Sequence, residues 1–408
     1  MSSAQTPPRQ ERRLLWLLAA LQFTHLMDFM VVMPLGPELM HRFHISTSQF
    51  GTVVAAYTLA SAAMGVPGLF WLDRFDRKHT LLALYGAFIV ATLACGAAPS
   101  HAALLAARTL AGACAGLMSA VLMSIIADVI PPERRGRAIG TVMMSLGLSA
   151  VVGVPVGLGL ATRLGWNAPF WTLGGLATGV WLCLARVLPP IRRHLAPSAS
   201  QSKPPSLAAL ASPELAWGWL LTFTVVFASF LLIPYLGTYM VGNVGLRQTD
   251  LPIVYLCGGV ATLLAARGVG HLTDRWGPGW VLTALLLGTL APHLTFTHLG
   301  PSPLPWVSAV FAVFMAVTST RAIPTLALVS MRVPPALRGR FMAMNMAASD
   351  AASGLAAWAS GALIATTPEG ALIGFDGVGW LAATVTLCAL GILWTLGRST
   401  VALGATAS

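Results

Sequence analysis

Lysine is almost missing from this chain of 408 residues: it occurs only at Lys78 and Lys203, so arginine carries nearly all the positive charge. Charge of any sign is scarce too, at 9% of residues against 56% hydrophobic. A soluble domain cannot hide that much apolar surface. The mean hydropathy of +0.76 points instead to a chain that crosses a membrane many times. The net charge of +11 could suggest a nucleic-acid binder. The basic residues, however, are spread through short loops and form no continuous patch, which excludes that class.

Other absences narrow the chemistry. The five cysteines, Cys95, Cys114, Cys183, Cys257 and Cys388, are scattered through apolar runs without a C-x-x-C spacing and read as small buried apolar residues. No His, Cys and acid cluster has metal-ligand spacing, so no metal is expected. No glycine-rich phosphate loop is present, so ATP drive is not expected. No nucleophile and base are tied to a motif, which argues against an enzyme.

What is present is a series of long apolar runs. A spanning helix needs roughly 20 mostly apolar residues. Such runs fall near 14–36, 49–71, 80–99, 102–127, 137–161, 167–188, 214–241, 250–270, 279–299, 303–330, 340–366 and 371–396. This predicts an all-α polytopic membrane protein with twelve transmembrane helices. The first run, Leu14 to Gly36, follows a polar, basic start and is too long for a signal-peptide core, so it is expected to be a retained span. Alternate loops are basic. One side collects Arg9, Arg12, Arg13, Arg74, Arg77, Lys78, Arg134, Arg135, Arg137 and most later arginines, while the other holds only Arg42, Arg163 and Arg247. The positive-inside rule then places both termini in the cytoplasm. The stretch PPIRRHLAPSASQSKPPSLAALASP, 189–213, reads as a flexible cytoplasmic linker between a six-helix half at 1–188 and another at 214–408.

Two loop motifs recur at nearly one offset. The Asp-Arg of WLDRFDRKHT, 71–80, returns in GHLTDRWGPG, 270–279, with Asp73 and Asp274 201 residues apart. PPERRGRAIG, 131–140, returns as PPALRGRFMA, 334–343, with Arg137 and Arg340 203 residues apart. The halves are therefore structural repeats. Parallel six-helix repeats joined by a central cytoplasmic linker are a known transporter plan.

On these motifs the chain resembles a major facilitator superfamily transporter over its full length, and is similar to bacterial drug:proton antiporters and arabinose-efflux-like permeases. The family's signature between the second and third helices is roughly G-x-x-x-D-R-x-G-R-K. GLFWLDRFDRK supplies Asp73, Arg74, Arg77 and Lys78 in matching slots, but Leu69 and Asp76 hold the two glycine slots. The second-half copy keeps both glycines, Gly270 and Gly277, around Asp274 and Arg275. The fourth-helix pattern R-x-x-x-G is met by Arg108 and Gly112. The glycine-rich fifth-helix antiporter pattern is met in part by Gly147, Gly153, Pro155, Gly157 and Gly159, with Val154 splitting the usual Gly-Pro pair. Such small residues permit close helix contact and a bend.

The resemblance implies a cytoplasmic gate at the loop charges Asp73, Arg74, Arg77, Lys78, Asp128, Asp274 and Arg275. In it Asp73 docks toward the helix that begins near Arg340, and Arg77 meets Asp128. Contacts of that kind exist in one state and break in the other. The alternative is that these charges only enforce topology. The PPE-RRGR loop suggests lipid headgroups or gating.

Charge inside a span costs about 2.5–3.5 kcal/mol at the centre on insertion scales. Asp28, Arg108, Arg321 and Asp350 stand out on that ground. Asp28 in the first span and Arg108 in the fourth share a depth, which predicts a pair, with His25 and Gln22 on the same broad face as Asp28. Arg321 in the tenth span and Asp350 in the eleventh share another depth, which predicts a second pair with Asn345 nearby. Proton coupling at Asp28, His25, Arg108, Asp350 and Arg321 is one role; static pairing and direct substrate contact stay open beside it. Gln22, Tyr57, Tyr235, Tyr239 and Asn345 are candidates to line a substrate cavity, though the tyrosines, like Trp217 and Trp219, could equally be packing or interfacial anchors.

The leading expectation is a proton-driven exporter of small molecules, drugs or sugars and other metabolites, in the cytoplasmic (inner) membrane of a bacterium, working by alternating access. It needs no cofactor beyond the proton gradient. Its partners are a small-molecule substrate and membrane lipids, not nucleic acid, and the resemblance implies a monomer. An uptake symporter on the same fold is the alternative, and a lipid translocator or non-transporting sensor is the alternative from another class.

Overall fold

The computed structural model describes residues 8–192, 212–334 and 337–406. Most of the linker expected at 189–213 lies outside them. The chain is nearly all helix. The first half runs Pro8–Val31, Thr47–Trp71, Arg77–Gly96, His101–Val129, a fifth span in three pieces (Pro132–Leu148, Ser149–Gly153, Val154–Leu164) and Ala168–Val187. The second half opens with a seventh span broken into Pro213–Phe230, Ile233–Tyr235 and Leu236–Gly242. Leu251–Trp276 and Pro278–Thr297 follow, then a tenth span broken into Leu304–Thr320 and Ala322–Met331, then Arg338–Leu363 and Phe375–Thr406. A short helix, Gly36–Phe43, and a two-stranded hairpin pairing Ala365 with Ile373 and Thr366 with Leu372 sit in loops at the end away from the termini.

Eleven of these spans are long and apolar enough to cross a membrane. The twelfth expected from sequence, Arg338–Leu363, has 26 residues but is too polar to qualify, because it carries Asn345, Ser349 and Asp350. Those residues have a reason to be there, given below. Exposed tryptophans mark both ends of the bundle, Trp16, Trp276 and Trp280 at the end bearing the termini and Trp171, Trp306 and Trp380 at the far end. Two such belts are the pattern of headgroup-level anchors, and Trp217, also exposed, belongs with them. Of the cysteines, Cys95 and Cys114 are buried as expected, but Cys183 and Cys388 are exposed.

Local chemistry sets where the helices start and break. Ser46 caps the second span in a reciprocal box with Gln49, and Ser100 caps the fourth. Proline occupies the first turn of the sixth, eighth and ninth spans, where its missing N–H costs nothing. Inside a span the same residue breaks the ladder. Pro155 cannot bond the Val151 carbonyl, and the fifth span widens into a π-turn at Ser149–Gly153. Pro234 and Pro324 stand just after the interruptions in the seventh and tenth spans.

Small residues then set how closely spans approach, since apolar burial drives little helix association in lipid. Gly112 and Gly116 rest on the backbone of Tyr57 and Ser61 in the second span. Gly153 and Gly157 rest on the side chains of Met27 and Val31 in the first. The halves meet where the second span packs on the eleventh and the fifth on the eighth.

Buried apolar clusters show which end is shut. One contains only first-half residues, such as Leu18, Tyr85 and Ile125, and another only second-half residues, such as Leu221, Leu286 and Leu393. The cluster at the far end joins both halves, setting Val31, Leu35 and Phe50 against Leu232, Tyr235 and Ala357. The bundle is therefore sealed at the end away from the termini.

Candidate functional site

Four spans build the charged centre of the first half. Asp28 and Arg108 are both buried and meet at 2.7 Å between Arg108 Nη1 and Asp28 Oδ2. Arg108 Nη1 also donates to the Asp28 carbonyl at 3.1 Å, and Thr92 from the third span donates to Asp28 Oδ1 at 3.2 Å. The Gly112 contact brings Tyr57 against Arg108, whose guanidinium carbon stands 4.2 Å from the centre of the tyrosine ring. That is a cation–π geometry in a dry site. His25 packs its ring on Tyr57 and edge-on to Phe88, and makes no hydrogen bond to Asp28. Its Nδ1 has no hydrogen-bond partner among the described residues.

The second-half pair expected from depth, Arg321 with Asp350, does not form. Arg321 Nη2 donates to Ser229 Oγ at 2.5 Å, Nη1 to Thr289 Oγ1 at 3.3 Å and Nε to the Thr318 carbonyl at 3.3 Å. Asp350 instead accepts from Ser61 Oγ, across the seam between halves, at 2.6 Å. Depth along two helices is one coordinate; the direction each side chain leaves its helix is another. Arg321 turns toward the seventh and ninth spans, Asp350 toward the second.

A cavity of about 490 Å³ lies between the halves. Phe29 and Met30 line it from the first span, Met33 from the turn after it, Phe230 from the seventh, Tyr255 from the eighth and Met315 from the tenth. Polar groups converge from one side: Thr222, Ser229, Thr318, Asn345, Ser349 and Asp350. A mostly apolar wall with a few placed polar groups, in a volume within the usual range of roughly 300–1,000 Å³, is the make-up of a small-molecule site. This is why the eleventh span is so polar. Thr222 donates to Asn345 Oδ1 at 2.8 Å, which orients the amide.

Of the cavity candidates read from sequence, Asn345 is on the wall, and Gln22, Tyr57, Tyr235 and Tyr239 are not among the lining residues. Tyr57 belongs to the Arg108 site. The Tyr235 hydroxyl lies 3.1 Å from the carbonyls of both Thr47 and Ala357, so it ties the two halves together in the far-end seal. Thr47 Oγ1 adds a bond to the Ile364 carbonyl at 2.5 Å. The Tyr239 hydroxyl bonds the carbonyls of Thr297 and Leu299, which is packing within the second half. The sequence reading missed Phe29, Ser229, Phe230 and Tyr255. Phenylalanines and serines occur throughout both halves, and only assembly selects the ones that face inward, whereas Tyr255 is one of just five tyrosines and was there to be read.

At the end bearing the termini, Arg77 Nε stands 3.2 Å from Asp128 Oδ2. The side chain of Asp73 lies outside the described residues. Arg74, Asp274 and Arg275 are exposed, and no ion pair joins the last two to another described residue. Lys78 contributes its backbone N–H to Asp76 Oδ1 at 2.9 Å. Asp76, the residue that departs from the loop signature, is a hub. It caps the third span and accepts from Arg192 Nε at 2.7 Å and from the Ile191 N–H at 3.4 Å. Partial burial works against its charge, but the bonds from Arg192 and from the backbone of Lys78, Ile191 and His79 prevail and hold its carboxyl down at about 2.

Comparison with known proteins agrees with this architecture. The family model for the Major Facilitator Superfamily matches residues 18–357. The uncharacterized MFS-type transporter YceJ of Bacillus subtilis (strain 168) is 27% identical, over 89% of this chain and 93% of its own length. A chloramphenicol efflux pump of Mycobacterium tuberculosis (strain CDC 1551 / Oshkosh) is 26% identical over 62% of each chain. Among solved structures, a bacterial homologue of the human lysosomal transporter Spinster, in an inward-facing and occupied conformation, superposes with a TM-score of 0.78. It is 18% identical, and the match covers 97% of this chain and 98% of that one. With two six-span halves around a central cavity and a family match over most of its length, this chain is a membrane transporter of the Major Facilitator Superfamily.

Proposed function

We propose that this protein exports small molecules from the cytoplasm of a bacterium in exchange for protons, by alternating access, with Asp350 as the proton-binding residue. The observation that carries this is the setting of Asp350. It is a cavity-wall carboxylate whose side-chain partner is a serine of the opposite half. Protonating it strands no cation, and turns an acceptor for Ser61 into a donor on the seam that must open and close. Asp28 differs. Protonating it leaves Arg108 buried and unpaired, a loss of about 3–5 kcal/mol when one partner of a buried pair is removed. Asp28 and Arg108 then act as the fixed centre of the first half.

The export direction draws support from the relative named as a chloramphenicol efflux pump. The arginine-rich loops on the side of the termini favour a cytoplasmic location for that end in the inner membrane. On that orientation the sealed end is periplasmic and the bundle faces inward.

The test uses liposomes loaded with a pH-sensitive dye, with chloramphenicol and then pooled drugs and sugars offered to the wild type. Substrate flux with opposite proton flux is expected. Asp350→Asn should reduce proton movement to background while binding persists. Asp28→Asn should chiefly lower thermal stability. Substrate moving without protons rejects the coupling; full coupling in Asp350→Asn with its loss in a folded Asp28→Asn protein moves the proton site to Asp28.

A further inference from the structure

The two buried arginines occupy matching places in the two halves. Arg108 comes from the fourth span and is held by Asp28 of the first and Thr92 of the third. Arg321 comes from the tenth span and is held by Ser229 of the seventh and Thr289 of the ninth. Seventh, ninth and tenth are the second-half counterparts of first, third and fourth. The second half thus repeats the arginine and the threonine, but puts a serine where the first half has its aspartate. Arg321 is fully buried, and its three hydrogen bonds all go to neutral oxygens. No carboxylate among the described residues stands within ion-pair distance of it. Burying a guanidinium without an anion is costly, and sites that retain one generally use it.

Arg321 is not itself on the cavity wall; it stands directly behind it. Thr318, Ala322 and Thr325 line the cavity, and they lie three before, one after and four after Arg321, on the same helical stripe. Ser229, which holds the Nη2 donor, is itself on the cavity wall. The tenth span is also interrupted at this residue, because Pro324 has no N–H to offer the Thr320 carbonyl. Broken helices near mid-membrane are where transporters build binding sites.

We propose that Arg321 recognises an oxygen-bearing acidic group of the substrate, a carboxylate or a group of like geometry. An incoming anion replaces the Ser229 hydroxyl and supplies the charge that Asp28 supplies to Arg108. The aromatic and methionine wall holds the apolar body of the same molecule. The substrate class is then an amphipathic organic anion or one with a strongly accepting oxygen pair. A planar guanidinium suits such a pair because it binds two oxygens at once.

This deepens the export reading and rests on it for the cavity's role, so the test is made without a gradient. Calorimetric binding of 2-naphthoate and of its neutral isostere 2-naphthamide is measured on the purified full chain in detergent. Wild type should prefer the carboxylate by at least about tenfold, the scale of a charge-assisted bidentate contact. Arg321→Gln should erase the preference and leave naphthamide binding in place. Ser229→Ala frees the donor without touching the guanidinium, and should tighten naphthoate binding and raise the preference for naphthoate over naphthamide several-fold. Wild type that binds naphthoate no better than the amide, or not at all, overturns the proposal, as does a preference that survives Arg321→Gln. If Arg321→Gln does not fold, Ser229→Ala decides, and naphthoate affinity unchanged there overturns it. Proton coupling is not read in this assay, so failure here leaves that reading standing, and failure of coupling leaves this one.

Discussion

Asp76 shows how much one loop side chain can organise. The family signature has glycine at its position, yet here the carboxylate caps the third span and binds Arg192 and Ile191, where the first half ends. Its low pKa has a consequence with a definite sign. A carboxyl held at about 2 when folded, against about 3.9 in an unfolded chain, contributes stability above the unfolded value. That contribution disappears as the pH falls through the folded one. Asp76→Asn keeps a capping oxygen but loses the charge toward Arg192, and should therefore cost about 0.2–1 kcal/mol near neutrality, the range of an ion pair with one exposed partner. The gap in melting midpoint between wild type and variant should close as the pH drops from about 5 toward 2. A gap that stays constant over that range would show that the charge of Asp76 carries none of its effect. Thermal unfolding followed by tryptophan fluorescence at stepped pH reads this directly.

At the scale of helices, glycines divide into those that set a distance and those that do not. A side-chain carbon added at Gly112 would run into the Tyr57 backbone, whereas one added at Gly140 or Gly268 meets nothing. Gly112→Leu should push the second and fourth spans apart, carry Tyr57 off Arg108, and cost about 1–3 kcal/mol or more. Gly140→Ala should be neutral or stabilising by up to about 1 kcal/mol, since alanine is the better helix former. Unfolding midpoints of the two variants in one detergent decide this. Equal effects would mean that the 112 contact does not set the spacing. The prolines work in the other direction. Pro155, Pro234 and Pro324 each leave a carbonyl without its helical donor, and the spans that carry them are the ones that bend or break around the cavity.

At the scale of the whole molecule, the halves are held shut at one end by a shared apolar cluster and by hydrogen bonds from Tyr235 and Thr47. Access from the other side requires these to break. Tyr235→Phe keeps the ring but removes the proton shared between the Thr47 and Ala357 carbonyls. It should favour the state open at the far end by about 0.5–1.5 kcal/mol, the net worth of one hydrogen bond, since both carbonyls lie within helices and keep their backbone donors. Distance measurements between spin labels across that end should show a larger open population than in wild type. An unchanged distribution would place the hold in the apolar cluster alone. Asp350 and Ser61 lie on the same second–eleventh seam as this seal, which is where the proposed protonation of Asp350 would act.

Much of this protein was legible one residue at a time. Run length and polarity reveal the spans, because lipid tolerates little unpaired backbone and few charges. The recurrence of Asp73 at Asp274 and of Arg137 at Arg340 reveals the two halves. Matching depth was enough to join Asp28 to Arg108, for their helices are adjacent and face one another. The same reasoning misjoined Arg321 to Asp350. Depth is written in the position along a span, but partner choice depends on how each helix is rotated about its axis and on what packs against it. Those angles come from contacts such as Gly112 on Tyr57 and Gly354 on Thr58, between residues far apart in the chain. The number and order of the spans are thus properties of the sequence alone. Which tyrosines seal the far end, which serine stands in for an aspartate, and which residues face the cavity were decided only when the helices packed, because facing is a relation between helices and no single span contains it.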